Sequence, residues 1–195
     1  MTEPELIEGI IRRDRNAFEY LVDRYQKQVI KTAFHFLGNM EDAEDLSQEI
    51  FLEIIRSMTS FRQTSTLATW INRITVNKSI NALKKKQSRG IILRLEQVFR
   101  FTREHETTKI QEPSVEQTGL EQQEKRKLLH AAIGSLPEKQ RIAFVLHKFD
   151  DKSYKEIADI MATRLPAVES LIHRAKLNLQ KALVHHFSEY QNHTL

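Results

Sequence analysis

Between Phe18 and Leu37 the apolar residues return every three or four positions: Phe18, Leu21, Val22, Tyr25, Val29, Ala33, Phe34 and Leu37. That spacing draws one stripe along a helix and does not match the two-residue alternation of a half-buried strand. The same period recurs in Ala43, Leu46, Ile50, Phe51, Ile54 and Ile55, and again in Leu67, Trp70, Ile71, Ile74, Ile80 and Leu83. In the second half it carries Ile142, Ala143, Val145, Leu146 and Phe149, then Val168, Leu171, Ile172, Ala175, Leu179 and Leu183. With only 5 glycines and 4 prolines in 195 residues, little interrupts these patterns. The predicted class is all-α.

Punctuation divides the chain into two small helical domains. Thr2 and Glu5 have capping-box spacing and open a first helix carrying Leu6, Ile10 and Ile11. A second begins near Asn16 and stops at Gly38; a third starts at Asn39 or Met40. A polar loop from Thr59 to Thr66 precedes a fourth, which ends in Lys84-Lys85-Lys86. Residues 89–119 hold Gly90, Pro113 and Gly119 without a sustained period, and are read as a flexible linker. Within it, Ile91 to Phe101 suits a short helix or a docked extended segment. Leu120 to Ile133 is helical, closed near Gly134; Pro137 sits in the first turn of the next helix. Asp150-Asp151 is a turn, and Ser153 with Glu156 repeats the capping-box spacing. After a break at Ala162 to Leu165, Pro166 opens the last helix. The domains are thus 1–88 and 120–195.

The chain has no cysteine, which removes disulfides, thiolate metal sites and cysteine nucleophiles. There is no Gly-rich phosphate loop, no HExxH and no nucleophile with an evident partner, so no catalysis and no cofactor are expected. His185-His186 lacks a third ligand, and no metal site is expected. Met1 to Asp14 has no apolar run of the signal-peptide kind, and nothing approaches the ~20 apolar residues of a membrane span. A cytoplasmic protein without membrane insertion is expected. The net charge of +4 and pI near 9.3 permit nucleic-acid binding without requiring it.

The distribution of charge says more. Residues 40–55 contain Glu41, Asp42, Glu44, Asp45, Glu49 and Glu53 and no base. Residues 54–95 contain Arg56, Arg62, Arg73, Lys78, Lys84, Lys85, Lys86, Arg89 and Arg94 and no acid. One reading is two solvated helix faces that pair with each other. The other is two surfaces, one for a basic protein and one for phosphates, because like charges crowded on one helix repel unless a partner takes them up. Phe61, Trp70, Asn72, Asn77 and Asn81 interleave with the bases, which suits opened DNA: cations hold phosphates, rings stack on bases, amides read base edges. Trp70 is equally suited to core packing.

Tyr154 to Arg174 has helix-turn-helix layout, with Ala158 at the close crossing and Met161 and Val168 beneath the turn. The second helix would offer Arg164, Ala167, Glu169, Ser170, His173, Arg174 and Lys176 to a major groove. A plain helical hairpin fits the same spacing.

Together these segments resemble the sigma-70 superfamily of RNA polymerase sigma factors, specifically its small two-domain, extracytoplasmic-function (ECF) members. Asp42-Ala43-Glu44-Asp45-Leu46-Ser47-Gln48-Glu49-Ile50-Phe51-Leu52 is similar to region 2.2. Ser60-Phe61 and Leu67 to Asn77 are similar to regions 2.3 and 2.4. Leu136-Pro137-Glu138-Lys139-Gln140-Arg141 is similar to region 4.1, and Ser153 to Ala158 with Ala167 to Lys176 to region 4.2.

The resemblance implies roles. Asp42, Asp45, Gln48, Glu49 and Leu52 would dock on the clamp coiled coil of core RNA polymerase. Phe61, Arg62, Thr64, Trp70, Arg73 and Asn77 would capture an unstacked base of the −10 element and melt the duplex, with Lys78, Asn81, Lys84, Lys85 and Lys86 on nearby backbone. Ser153, Tyr154, Arg164, Pro166, Ala167, Glu169, Ser170, His173, Arg174 and Lys176 would serve the −35 element, while the second domain rests on the polymerase flap. An anti-sigma partner that holds the two domains together is implied as well. Glu169 and Leu171 stand where many members have lysine and arginine. Asn81 and the lysine run replace the usual aspartate and paired arginines, which keeps charge but loses the forked geometry of arginine. A helix-turn-helix regulator without polymerase binding would account for residues 153–176 but not for the acidic block or the Trp70 helix. An interaction adaptor without promoter activity is the other alternative.

Overall fold

The computed structural model describes residues 1–101 and 128–192. Among them there are helices and no strand. They are α1 (Glu3–Ile11), α2 (Arg15–Leu37), α3 (Met40–Ser57), α4 (Leu67–Phe101), α5 (128–135), α6 (Glu138–Lys148), α7 (Tyr154–Ile160) and α8 (Leu165–Asn192), with a 3-10 turn at Met58–Ser60.

Local chemistry sets most boundaries. The Thr2–Glu5 capping box forms: Glu5 Oε2 accepts from the Thr2 N–H at 2.7 Å. Those bonds to Thr2 hold the Glu5 carboxyl below its ordinary pKa. Asp14 caps α2 and Asn39 caps α3, each through its side chain. Gly38 ends α2 at φ +71°, the left-handed region where a side chain is strained. α1 lies close on α2 at Gly9, where a Cβ would stand 2.5 Å from Ala17 Cβ.

Two sequence expectations need correction. The fourth helix does not end at the lysine run: α4 continues to Phe101, so the expected linker starts as helix. A single glycine, Gly90, costs about 1 kcal/mol and does not stop a helix whose other residues favour it. The rest of the expected linker, and the part of Leu120 to Ile133 before residue 128, lie outside the described residues. α5 runs to residue 135, so it closes near Gly134 as expected. The stop comes from Pro137, which disfavours helical backbone at Leu136. Phe18, expected on the buried stripe of α2, is 38% exposed; the stripe is Ala17, Leu21, Tyr25, Val29 and Ala33.

The N-terminal unit packs α1 to α4 around Leu6, Leu21, Ile50, Ile54, Met58, Leu67 and Ile71. The C-terminal unit packs α5 to α8 around Val145, Leu146, Ile157, Val168 and Ile172. This second core also takes in Phe36 of α2 and Val76 and Ile80 of α4. The two units are therefore joined through a shared apolar seam as well as through the chain. No described helix is long and apolar enough to cross a membrane.

Candidate polymerase and nucleic-acid interfaces

α3 separates its two faces cleanly. Ala43, Leu46, Ile50 and Ile54 are buried, while Asp42, Asp45, Gln48, Glu49 and Leu52 are exposed at helical spacing on the other side. Its acids include Glu41 and Asp42 in the first turn, where the helix dipole favours negative charge. The charge blocks pair with each other in part. Lys86 pairs with Asp42 at 2.7 Å and Lys78 with Glu53 at 3.3 Å, so α4 neutralises part of α3. Asp45, Gln48, Glu49 and Leu52 remain turned to solvent. Asp45 and Glu49 face Lys78, Asn81 and Lys85 across an open groove of about 880 Å³.

α4 starts on a doubly held N-terminus. Thr66 Oγ1 accepts from the Thr69 N–H at 3.2 Å, and Glu3 of α1 accepts from the Leu67 N–H at 2.9 Å. Sequence reasoning missed Glu3, because nothing local shows that α1 reaches this end. The preceding loop exposes Arg62 and Thr64, with Gln63 at φ 54°. Phe61 and Trp70 stack at 5.0 Å with a 36° tilt. Trp70 is half-buried and packs on the N-terminal core, which meets the packing expectation and leaves part of the ring accessible. Trp70, Arg73, Asn77, Asn81 and Lys84 follow at intervals of three and four, a stripe roughly 21 Å long at 1.5 Å per residue. Asn77, Asn81, Lys84, Lys85 and Lys86 are exposed; Lys78 is half-buried. Asn72 does not belong to this surface. It is 4% exposed, and its Oδ1 accepts from Gln28 Nε2 at 2.9 Å, so its amide braces α2 against α4 and cannot read a base.

In the C-terminal unit, α7 opens on the Ser153–Glu156 box: Glu156 Oε2 accepts from the Ser153 N–H at 2.8 Å and Oγ at 2.7 Å. Those bonds, the side-chain one first, hold the Glu156 carboxyl below its usual range. Ser153 is thus engaged within its own cap, and Tyr154 packs edge-on against His147 at 5.0 Å. The turn to α8 carries Ala162 at φ 50° and a bond from the Thr163 N–H to the Ala158 carbonyl at 2.9 Å. The buried Ile157, Ala158, Val168, Ile172 and Ala175 make this a packed helix-turn-helix. Arg164, just before α8, and Pro166, Glu169, Ser170, His173, Arg174 and Lys176 on it are exposed, with Ala167 half-buried. Among the described residues Glu169 makes no ion pair with Arg164 or His173, and stays available to a ligand.

Arg141, inside the Leu136 to Arg141 motif, is a second omission of sequence reasoning. It is 8% exposed, and its guanidinium donates to the carbonyls of Ile133 (3.1 Å), Gly134 (2.5 Å) and Leu136 (2.8 Å). Burial lowers its pKa, and Glu138 acts in the opposite direction. It clasps the α5–α6 junction on which the helix-turn-helix rests. Among the described residues no cluster of histidine or carboxylate suits a metal; the side chains of His185 and His186 lie outside them.

Comparison with known proteins agrees with this arrangement. The family model described as Sigma-70 region 2 matches residues 21–89, and that described as Sigma-70, region 4 matches residues 126–179. The chain is 31% identical over 183 residues to the RNA polymerase sigma-H factor of Pseudomonas aeruginosa, spanning 93% of each. It is 32% identical over 176 residues to the ECF RNA polymerase sigma-E factor of Escherichia coli K12, 90% of this chain and 91% of that one. Among solved structures, CnrH in complex with the cytosolic domain of CnrY shares the fold at a TM-score of 0.62 and 20% identity, over 94% of this chain and 97% of that one. The sigma factor RpoE of Bartonella quintana, solved with the anti-sigma factor NepR, shares it at 0.54 and 21%, over 85% and 96%. Two sigma-region matches in order, and identity above 30% along nearly the full length, place the chain in the sigma-70 family as an RNA polymerase sigma factor of the ECF group.

Proposed function

We propose a division of labour in this sigma factor. α3 docks on core RNA polymerase through Asp42, Asp45, Gln48, Glu49 and Leu52. The Phe61–Thr66 loop and the Trp70 stripe of α4 capture and melt the −10 element. α8 reads the −35 element, while Arg141 and the Ser153 cap orient it. The observation that carries this reading is the pair of adjoining surfaces: an exposed acidic face on α3 beside a stripe on α4 that begins at half-buried Trp70 and continues in exposed amide and lysine side chains. A basic coiled coil complements the first, and an opened strand the second, with phosphates on lysines and a base against the Phe61–Trp70 pair. Residues 1–88 and 120–195 are the two functional domains in this reading, and an anti-sigma partner is the expected regulator.

In vitro transcription with bacterial core polymerase over a promoter library tests the assignment. Protein-dependent starts are expected, and Trp70→Ala and Asn77→Ala should lose open complexes while keeping core binding. Core binding without any transcript would favour an adaptor. No core binding would leave only a DNA-binding helix-turn-helix protein.

A further inference from the structure

Glu169 is the one acid between Arg164 and Lys176, a stretch whose other ionisable side chains are the basic Arg164, His173, Arg174 and Lys176. It is exposed in the second turn of α8, on a stripe with Pro166 and His173 and beside Ser170. Val168, Ile172 and Ala175 turn the other way, into the core.

An exposed glutamate on a helix ordinarily has one of two local uses. It offsets the positive end of the helix from the first turn, or it pairs with a base one turn away. Neither applies to Glu169. The first turn of α8 holds no acid. Among the described residues Glu169 makes no ion pair with His173, four positions on, or with Arg164. On a face that meets DNA, its carboxylate also repels the phosphates that Arg164, Arg174 and Lys176 attract. A carboxylate in that place is a cost unless a donor meets it.

Base edges supply such donors unequally. An ionised carboxylate only accepts hydrogen bonds. In the major groove guanine and thymine present acceptors, and adenine sets its amino donor beside the N7 acceptor. Cytosine presents its N4 amino donor with no acceptor of its own. Its edge is therefore the one that a carboxylate fits without a clash of lone pairs.

We propose that Glu169 is a specificity-determining residue, accepting from the N4 amino group of a cytosine in the −35 element. This rests on the assignment of α8 to that element. Discrimination here comes largely from penalty: opposite guanine or thymine the carboxylate loses water and faces another acceptor. Overall affinity gains little, because the bond to cytosine is set against repulsion by the phosphates.

In vitro transcription with core polymerase, over promoters in which each −35 position is varied in turn, reads this directly. The wild-type chain should prefer cytosine by roughly fivefold or more at one position of one strand. Glu169→Gln should move that preference to adenine, since an amide both donates to N7 and accepts from N6. Glu169→Ala should erase the preference there, leave the other positions unchanged and raise output from the promoters without that cytosine. An equal rise across all −35 sequences in Glu169→Ala overturns the proposal, because the carboxylate then acts on phosphates alone. Arg174→Ala separates the proposal from the assignment beneath it. A −35 profile changed by Arg174→Ala but not by Glu169→Gln sinks the role of Glu169 and leaves α8 on the element. Profiles unchanged in both variants sink the α8 assignment and the proposal together.

Discussion

Arg141→Met is the most informative change to the helix-turn-helix platform. The guanidinium serves three carbonyls, two of them at the C-terminus of α5, where a helix leaves acceptors without intrahelical donors. Methionine keeps the apolar stem and removes every donor. Ile133 retains a bond from the Leu136 N–H, but Gly134 and Leu136 lose the donor that Arg141 supplies. Three bonds at a net of about 1 kcal/mol each give roughly 3 kcal/mol, somewhat offset by relief of guanidinium desolvation. A net loss of about 2–3 kcal/mol is a large share of the ~5 kcal/mol that supports a small domain, and should lower Tm by roughly 10–20 °C. Arg141→Lys should recover only part, since one ammonium cannot span three diverging acceptors. Urea melts followed by far-UV circular dichroism measure the loss, and hydrogen exchange should confine it to the amides of α5 to α8. A loss below about 1 kcal/mol would refute the reasoning, since water would then be serving those carbonyls as well as the arginine does.

Charge reversal of the acidic face, Asp45→Lys with Glu49→Lys, should abolish core binding in a pull-down while leaving the melting curve in place, because both side chains are exposed and neither has a bond among the described residues; retained binding would move the docking surface elsewhere. DNA binding should weaken steeply with salt: about five phosphate contacts at a slope near −0.9 each predict a loss of roughly 500-fold between about 50 and 200 mM, and a flat response would remove the α4 lysines from the phosphate surface. His130 of α5 packs edge-on against Phe34 of α2, and burial, with the nearby His35 second, lowers its pKa. A depressed histidine leaves stability intact above the unfolded-state pKa of about 6.5 and loses it as pH falls from there through the lower folded value, because the unfolded chain takes up the proton first. Urea midpoints from about pH 7.5 to 5.5 should therefore decline, and His130→Phe should flatten that decline; an equal decline in the variant would assign it to other groups.

Much of the candidate site was legible because its signals are local. The acid and base blocks are contiguous, and their helical period places Asp45 and Glu49 on one face and Asn77, Asn81 and Lys84 on another without knowledge of any neighbour. Both capping boxes were readable for the same reason. Asn72 shows the limit: it sits among bases in the sequence yet turns inward, because Gln28 on another helix waits for it. Glu3 at the start of α4, and Arg141 beneath α5, were likewise invisible, since their partners are backbone groups whose positions depend on packing.

By itself, the sequence determined the all-α class, nearly every helix, the helix-turn-helix and the separation of acidic from basic surfaces. These follow from periodicity, caps and breakers that act over three or four residues. Tertiary structure decided the relation between the two units: the shared seam of Phe36, Val76 and Ile80, the clasp of Arg73 on Asp159 and the seat of Asp150 on Thr32. Residues separated by more than a hundred positions meet only when two finished surfaces fit, and no local pattern records which surfaces those are.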